Sequence, residues 1–171
     1  MEKVLIEIID NFLDKRIFSD IQQKFYSNHF PWYYNESAVT VGYENIYDQM
    51  FHMFFRSSDG FHHRSPELNA IQPILLKLRP AVLIRVKANM SSAWNGEEEL
   101  AYHTDTNLKG ATTAILYFST NDGYTIFENG DIIETIENRL IKFPAEMRHG
   151  VKRHTSGKNR VVLNINWIDY D

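Results

Sequence analysis

The clearest periodicity in the chain lies near its end. In RVVLNINW, residues 160–167, Val161, Leu163, Ile165 and Trp167 fall on one side of an extended strand, and Arg160, Val162, Asn164 and Asn166 on the other. LIRVKAN, residues 83–89, repeats the arrangement, with Ile84, Val86 and Ala88 opposing Arg85, Lys87 and Asn89. Strands with one wholly apolar face fit a sheet packed against helices on that side, which leaves the polar faces to look at solvent or into a cavity. AVLIRVKANM, ATTAILYFST, GYTIFENG and RLIKFP complete a set of short β-rich runs, separated by SSAWNGEEE, TNDG, NGD and TSGKN. That spacing predicts an antiparallel sandwich or barrel from residue 81 onward.

The first 80 residues read differently. VLIEII (4–9) is an opening strand. Phe12, Leu13, Ile17, Ile21 and Phe25 then recur at near-helical spacing, with Ser19 placed to cap a segment that starts at Asp20. FPWYYN (30–35) is an extended or turn region, and SSDGFHHRSPEL (57–68) carries turn chemistry. Within it, Ser65 is an N-cap, Pro66 the first helical position and Glu67 a carboxylate beside the positive end of the helix. That helix runs to about Leu78 and is stopped by Pro80, while Pro73 bends it or shifts its start. The expectation is a mostly β, α+β fold with helices covering one sheet: a single domain over 1–171, with 1–80 a helical support region and 81–171 the β core.

Composition narrows the function classes. At 171 residues, with 43% hydrophobic and 23% charged residues, the chain has the make-up of a globular domain. A net charge of −4, and no basic stretch interleaved with aromatics, count against a nucleic-acid partner. No apolar run reaches the roughly 20 residues of a membrane span, and the start is too charged for a secretory signal. A cytoplasmic location is expected, which is the host cytoplasm if the chain is phage-encoded. With no cysteine in the chain, disulfides and thiolate ligands are excluded, so any metal falls to His, Asp and Glu.

The candidate chemistry begins at AYHTDTNLKG, residues 101–110. His103 and Asp105 leave the same side of an extended segment, as an imidazole and a carboxylate suited to Fe(II), Mn(II) or Zn(II). On its own H-x-D is a weak signal. The candidate third ligand is His149 in FPAEMRHGV, 44 residues after Asp105 and between two β-runs. His62 and His63 sit in a polar loop and read as solvated, and His154 in KRHTSGK reads as a hairpin tip. Arg160 follows His149 by eleven residues. Two histidines and a carboxylate on one face of Fe(II) leave three positions open. A chelating 2-oxo acid and O2 can fill them, and the far carboxylate of that acid then needs a fixed bidentate donor, for which Arg has the geometry.

The order H-T-D (103–105), H-G-V (149–151) and Arg160 at the head of RVVLNINW resembles the Fe(II)/2-oxoglutarate-dependent oxygenase superfamily, in its prolyl-4-hydroxylase-like branch. IEIIDNFLD and AILYFSTNDGYTIFENGD are similar to that branch's N-terminal entry and its tyrosine strand, and the overall aspect is that of its small stand-alone phage and bacterial members. The resemblance implies a double-stranded β-helix, or jelly-roll, with N-terminal helices packed on the major sheet. It implies Fe(II) on His103, Asp105 and His149, with 2-oxoglutarate as cosubstrate and O2 as oxidant. Arg160 would hold the cosubstrate's distal carboxylate with help from Tyr117, which could equally be a core tyrosine with a satisfied hydroxyl. The implied reaction hydroxylates a protein or peptide, prolyl residues included, or a small molecule, and releases succinate and CO2. Two departures bear on prolyl specificity: Arg160 stands where many members of the branch have Lys, and Lys87 and Asn89 stand where a second tyrosine is often found.

Arg85, Lys87 and Asn89 are candidate substrate contacts if the polar face of their strand lines the pocket mouth, and solvent-facing residues if it does not. SSAWNGEEEL (91–100) reads as a mobile lid or substrate loop, in which Trp94 stacks on substrate or anchors the loop and Glu97–Glu99 form a solvated face. The competing function classes are a nucleic-acid base-modifying oxygenase and a non-enzymatic, cupin-like jelly-roll that binds a metal or other ligand. A cupin would more often show a closely spaced H-x-H with a Glu, which the chain lacks.

Overall fold

The computed structural model describes residues 6–35, 49–58, 60–95 and 102–170. Val4 and Leu5 of the predicted opening strand, and residues 96–100 of the predicted lid with its acidic run Glu97–Glu99, lie outside them.

After a short strand β1 (Glu7–Ile9), helix α1 spans Lys15–Phe25 and buries Phe18, Ile21 and Phe25. Its cap is Asp14, not Ser19: the Asp14 carboxylate accepts from the backbone of Arg16 at 2.9 Å and of Ile17 at 3.4 Å. Ser19 lies inside the helix, where its hydroxyl accepts from Gln23. Both residues can cap, and the difference is made by the tertiary packing of Phe18, which needs the helix to begin before it. Ser65 caps as expected, its hydroxyl accepting from Glu67 N at 3.0 Å. It opens a 3-10 turn, Pro66–Ile71, which gives way to helix α2 (Gln72–Leu78) where Pro73 enters the first turn. Proline has no N–H to donate, so it fits a helix start and breaks an interior. Arg79 ends α2 in the left-handed region at φ 53°, just before Pro80.

The remaining strands are β2 (Tyr33–Asn35), β3 (Gln49–Ser58), β4 (Phe61–Arg64), β5 (Val82–Ser91), β6 (Ala111–Tyr117), β7 (Tyr124–Phe127), β8 (Ile132–Glu134), β9 (Leu140–Pro144), β10 (His149–Lys152) and β11 (Arg160–Ile168). They form an antiparallel jelly-roll. An eight-stranded sheet runs β1-β9-β6-β11-β5-β3-β2 with β4 attached to β3, and a three-stranded sheet runs β10-β7-β8. Residues 1–80 are therefore more than a helical support, since they supply β1 to β4, four strands of the larger sheet. The predicted turn region 57–64 is a hairpin in which Ser58 pairs with Phe61, and it places His62 and His63 on β4. Among the described residues no helix is long and apolar enough to cross a membrane.

The alternation read from the sequence sorts the two faces of the larger sheet. Val161, Leu163, Ile165 and Trp167 are at most 1% exposed and share one cluster with Val86 and Ala88 of β5, Phe18, Ile21 and Phe25 of α1, and Ile71 and Ile74 beneath α2. Each large apolar side chain buried there contributes roughly 1.5–3 kcal/mol. The opposite face looks toward the smaller sheet, where Ile115, Tyr117, Ile141, Phe143 and Val162 meet Phe127 and Ile133 in a second cluster. A clasp joins the entry of α1 to the β8–β9 turn. The Asn138 amide accepts from Leu13 N and donates to Leu13 O, both at 2.9 Å, with Asn138 itself at φ 60°.

Candidate metal centre and cosubstrate pocket

The segment leading to β6 touches the smaller sheet at one point. His103 N donates to His149 O and His149 N donates to His103 O, each at 2.9 Å, so the two residues form an isolated antiparallel bridge. That pairing sets the imidazole rings 4.8 Å apart, centre to centre. Asp105, two residues on, returns to the same side, and one ligand atom from each of His103, Asp105 and His149 lies within 4.8 Å of the others.

Two of the three, His149 and Asp105, are prepared for a cation by their surroundings. His149 is 2% exposed, with the rings of Phe143 and Phe127 at 5.1 and 5.9 Å. Burial pushes its imidazole pKa down, so it stands neutral. Its Nδ1 lies 3.2 Å from Met147 O, an acceptor, which fixes the proton on Nδ1 and leaves the Nε2 lone pair for a ligand. Burial alone would raise the Asp105 carboxyl. The charge of Arg85, with lesser help from His149, His103 and Asn166, holds it below the ordinary carboxylate value. Arg85 Nη2 donates to Asp105 Oδ1 at 2.6 Å, whereas Asp105 Oδ2 is buried with no hydrogen-bond partner. A buried carboxylate oxygen without a donor is unstable unless something positive meets it. Two imidazoles, this carboxylate and the orphaned oxygen fit a divalent iron of the 2-His-1-carboxylate type.

Arg160 opens β11 on the same inner face, 3% exposed. Its Nε donates to Thr135 Oγ1 at 3.0 Å and its Nη2 to Thr125 Oγ1 at 3.2 Å, and its guanidinium carbon stands 5.4 Å from the centre of the Tyr117 ring. The Tyr117 hydroxyl donates to Thr125 Oγ1 at 2.8 Å, and burial raises its pKa, so it stays a neutral phenol. Thr125 and Thr135 were not among the sequence candidates. Thr125 alternates between Tyr124 and Ile126 on β7, a usable signal once the inner face is known, whereas Thr135 lies just past β8 and carried none.

Between Arg160 and the metal residues runs a floor made by aligned rows of β5, β11 and β6. Arg85 lies opposite Asn166, and Asn166 opposite Thr113; Lys87 faces Asn164, and Asn164 faces Ile115; Asn89 faces Val162, and Val162 faces Tyr117. Arg85, Lys87 and Asn89 therefore point inward, not to solvent. Arg85 is engaged with Asp105. The Lys87 ammonium stands 5.1 Å from the Phe51 ring centre, and burial, helped by Arg85, lowers its pKa to about 8. The Oδ1 atoms of Asn89 and Asn164 are buried without partners. Trp94 is 45% exposed and tied down, its backbone N donating to His154 O at 2.8 Å and its ring covering the Arg153 guanidinium at 5.1 Å. Two histidine readings are corrected. His62 and His63 belong to a strand, with His63 Nε2 2.9 Å from Met53 O, and His154 is fully buried instead of tipping a hairpin. The burial of His154 carried no local signal, because it depends on segments distant in sequence.

No family model and no curated protein matches the chain. Solved structures do. A 2OG-Fe(II) oxygenase family oxidoreductase from Burkholderia pseudomallei superposes with a TM-score of 0.70 at 10% identity, covering 95% of this chain and 84% of the other. A prolyl hydroxylase from Trichoplax adhaerens, solved with a hypoxia inducible factor peptide fragment, gives 0.66 at 14% identity, covering 96% and 83%. A prolyl-4-hydroxylase from Pseudomonas putida gives 0.56 at 14%, covering 98% and 94%. At these identities the likeness is one of fold: the chain has the jelly-roll architecture of the 2-oxoglutarate oxygenases.

Proposed function

We propose that the protein is an Fe(II)- and 2-oxoglutarate-dependent dioxygenase that hydroxylates a protein, peptide or small-molecule substrate. The observation that carries this reading is the convergence of His103, Asp105 and His149 within 4.8 Å on the inner face that also bears the buried Arg160. On this reading the three residues hold the iron, His149 through Nε2 and Asp105 as an ionised carboxylate. Arg160 binds the distal carboxylate of 2-oxoglutarate, with Thr125, Thr135 and Tyr117 fixing the plane of its guanidinium. Bound there, iron and 2-oxoglutarate would supply the oxidising chemistry, with one atom of O2 ending in the succinate formed alongside CO2 and the other in a C–H bond of the substrate. The chain's own part is positioning and exclusion of water. Phe127 and Phe143 shield His149, and the floor of Lys87, Asn89 and Asn164 presents polar atoms to whatever lies above it.

The deciding experiment is anaerobic addition of Fe(II) and 2-oxoglutarate. A visible charge-transfer band is expected in the wild type and lost in His103→Ala and Asp105→Ala; wild-type protein that binds both without a band contradicts the proposal. Succinate release across peptides, free amino acids and oligonucleotides then identifies the substrate class.

A further inference from the structure

We propose that Arg85 is a positioning residue that clamps Asp105 Oδ1 and so fixes the plane in which the carboxylate meets the metal. The inference rests on the metal reading above and extends it to a residue outside the ligand set. A chain of contacts supports it. Thr113 Oγ1 accepts from Asn166 Nδ2 at 2.9 Å, Asn166 Oδ1 accepts from Arg85 Nε at 3.1 Å, and Arg85 Nη2 donates to Asp105 Oδ1 at 2.6 Å. These polar links fix the orientation of the Asn166 amide, whose oxygen must face the guanidinium and whose nitrogen must face the hydroxyl. Thr113, Asn166 and Arg85 lie in one cross-strand row over β6, β11 and β5, so three strands of the sheet hold the guanidinium in place.

The segment that carries Asp105 is not part of a strand, and His103 beside it pairs with His149 as an isolated bridge. The Asp105 carboxylate would otherwise turn about its own axis and offer either oxygen, or both. Arg85 holds Oδ1 where it stands 3.8 Å from His103 Nε2, and Oδ2 stays buried without a hydrogen-bond partner, so the clamp sets which edge of the carboxylate faces the imidazoles. Arg can do this and Lys cannot, because two separate N–H groups of a planar fork reach Asn166 and Asp105 at once, whereas an ammonium supplies charge from one point. This departs from the substrate-contact role the sequence suggested for Arg85.

The test is Co(II) titration of the metal-free protein, read by the visible ligand-field bands that report ligand number and symmetry. Arg85→Gln is expected to weaken Co(II) binding by about tenfold or more, in the range typical of residues that orient ligands, and to change the band envelope. Arg85→Lys should recover part of the affinity and keep the altered envelope, separating charge from geometry. Thr113→Val, which touches neither Asp105 nor the metal, should shift the envelope in protein that stays folded with a modestly lowered thermal midpoint, and it decides the matter should Arg85→Gln fail to fold. Unchanged affinity and bands in Arg85→Gln, or in Thr113→Val where that variant decides, overturn the proposal. A wild type whose Co(II) binding is indifferent to His149→Ala defeats the metal reading itself, a separate outcome.

Discussion

The two faces of the larger sheet are written by the same strands, and they differ in what they require of a side chain. The outer face of β5 and β11 is apolar without interruption and is closed by α1 and α2. There any side chain of the right shape and volume serves, because the interaction is non-directional. The inner face of the same strands carries Arg85, Lys87, Asn89, Arg160, Asn164 and Asn166, and Oδ1 of Asn89 and Asn164 there, like Oδ2 of Asp105 beyond them, is left without a donor. Buried acceptors of this kind cost about 1–3 kcal/mol each. The outer face thus generates the stability that the inner face spends on a ready-made ligand cavity.

The two faces should separate cleanly under mutation. The largest expected effect is on the inner face: His149→Ala should reduce 2-oxoglutarate-dependent succinate formation to background while folding, followed by circular dichroism, survives. Next comes the outer face. Leu163→Ala should lower unfolding free energy by about 2–5 kcal/mol in denaturant titrations yet leave Fe(II) affinity, measured at low temperature, close to wild type. A comparable loss of metal binding in Leu163→Ala would show that the faces are coupled. Arg160→Leu should weaken 2-oxoglutarate about 10- to 100-fold in calorimetry, the loss of about 1.5–3 kcal/mol for hydrogen bonds to a charged group, with iron binding retained; equal loss of both would refute its role.

The smallest effect is with pH. His52 is buried, its Nδ1 2.8 Å from Pro31 O and its Nε2 2.9 Å from Ser65 Oγ, so the proton resides on Nδ1 and Nε2 accepts from the Ser65 hydroxyl. Burial lowers its pKa below the usual 6.5, against a smaller opposing pull from the Pro31 contact. The unfolded chain therefore binds the proton more readily, and stability is complete above about pH 6.5 and declines as pH falls through that value. His149 and His154 shift in the same direction, chiefly through burial. Denaturation midpoints should fall modestly between pH 7.5 and 5.5, with a shallower fall in His52→Gln; a flat profile would contradict the assignment.

Period and order account for what was legible in the sequence. The alternation in RVVLNINW and LIRVKAN foretold both faces, and the order of His103, Asp105 and His149 picked out three side chains that the fold brings together. β3 escaped for a physical reason. Its QMFHMFFRSS run is apolar on both sides, and a register shift between Met53 and Phe55 breaks the period of two. Asp14 rather than Ser19 caps α1 because packing at Phe18 selects among local options of similar strength. The role of Arg85 was hidden because its partner lies twenty residues away across a loop, a contact that alternation alone cannot anticipate.

The His103–His149 bridge has one further consequence. Two proposed iron ligands, 46 residues apart in sequence, pair through reciprocal backbone bonds in an isolated bridge, with the Arg148 guanidinium donating to Tyr102 O beside it at 2.9 Å. Any fluctuation that parts this bridge also parts the ligands, so metal release and local opening become the same event. The amide protons of His103 and His149 should then act as a clock for the centre, exchanging with solvent at a rate set by occupancy, slow in the loaded protein and fast in the empty one.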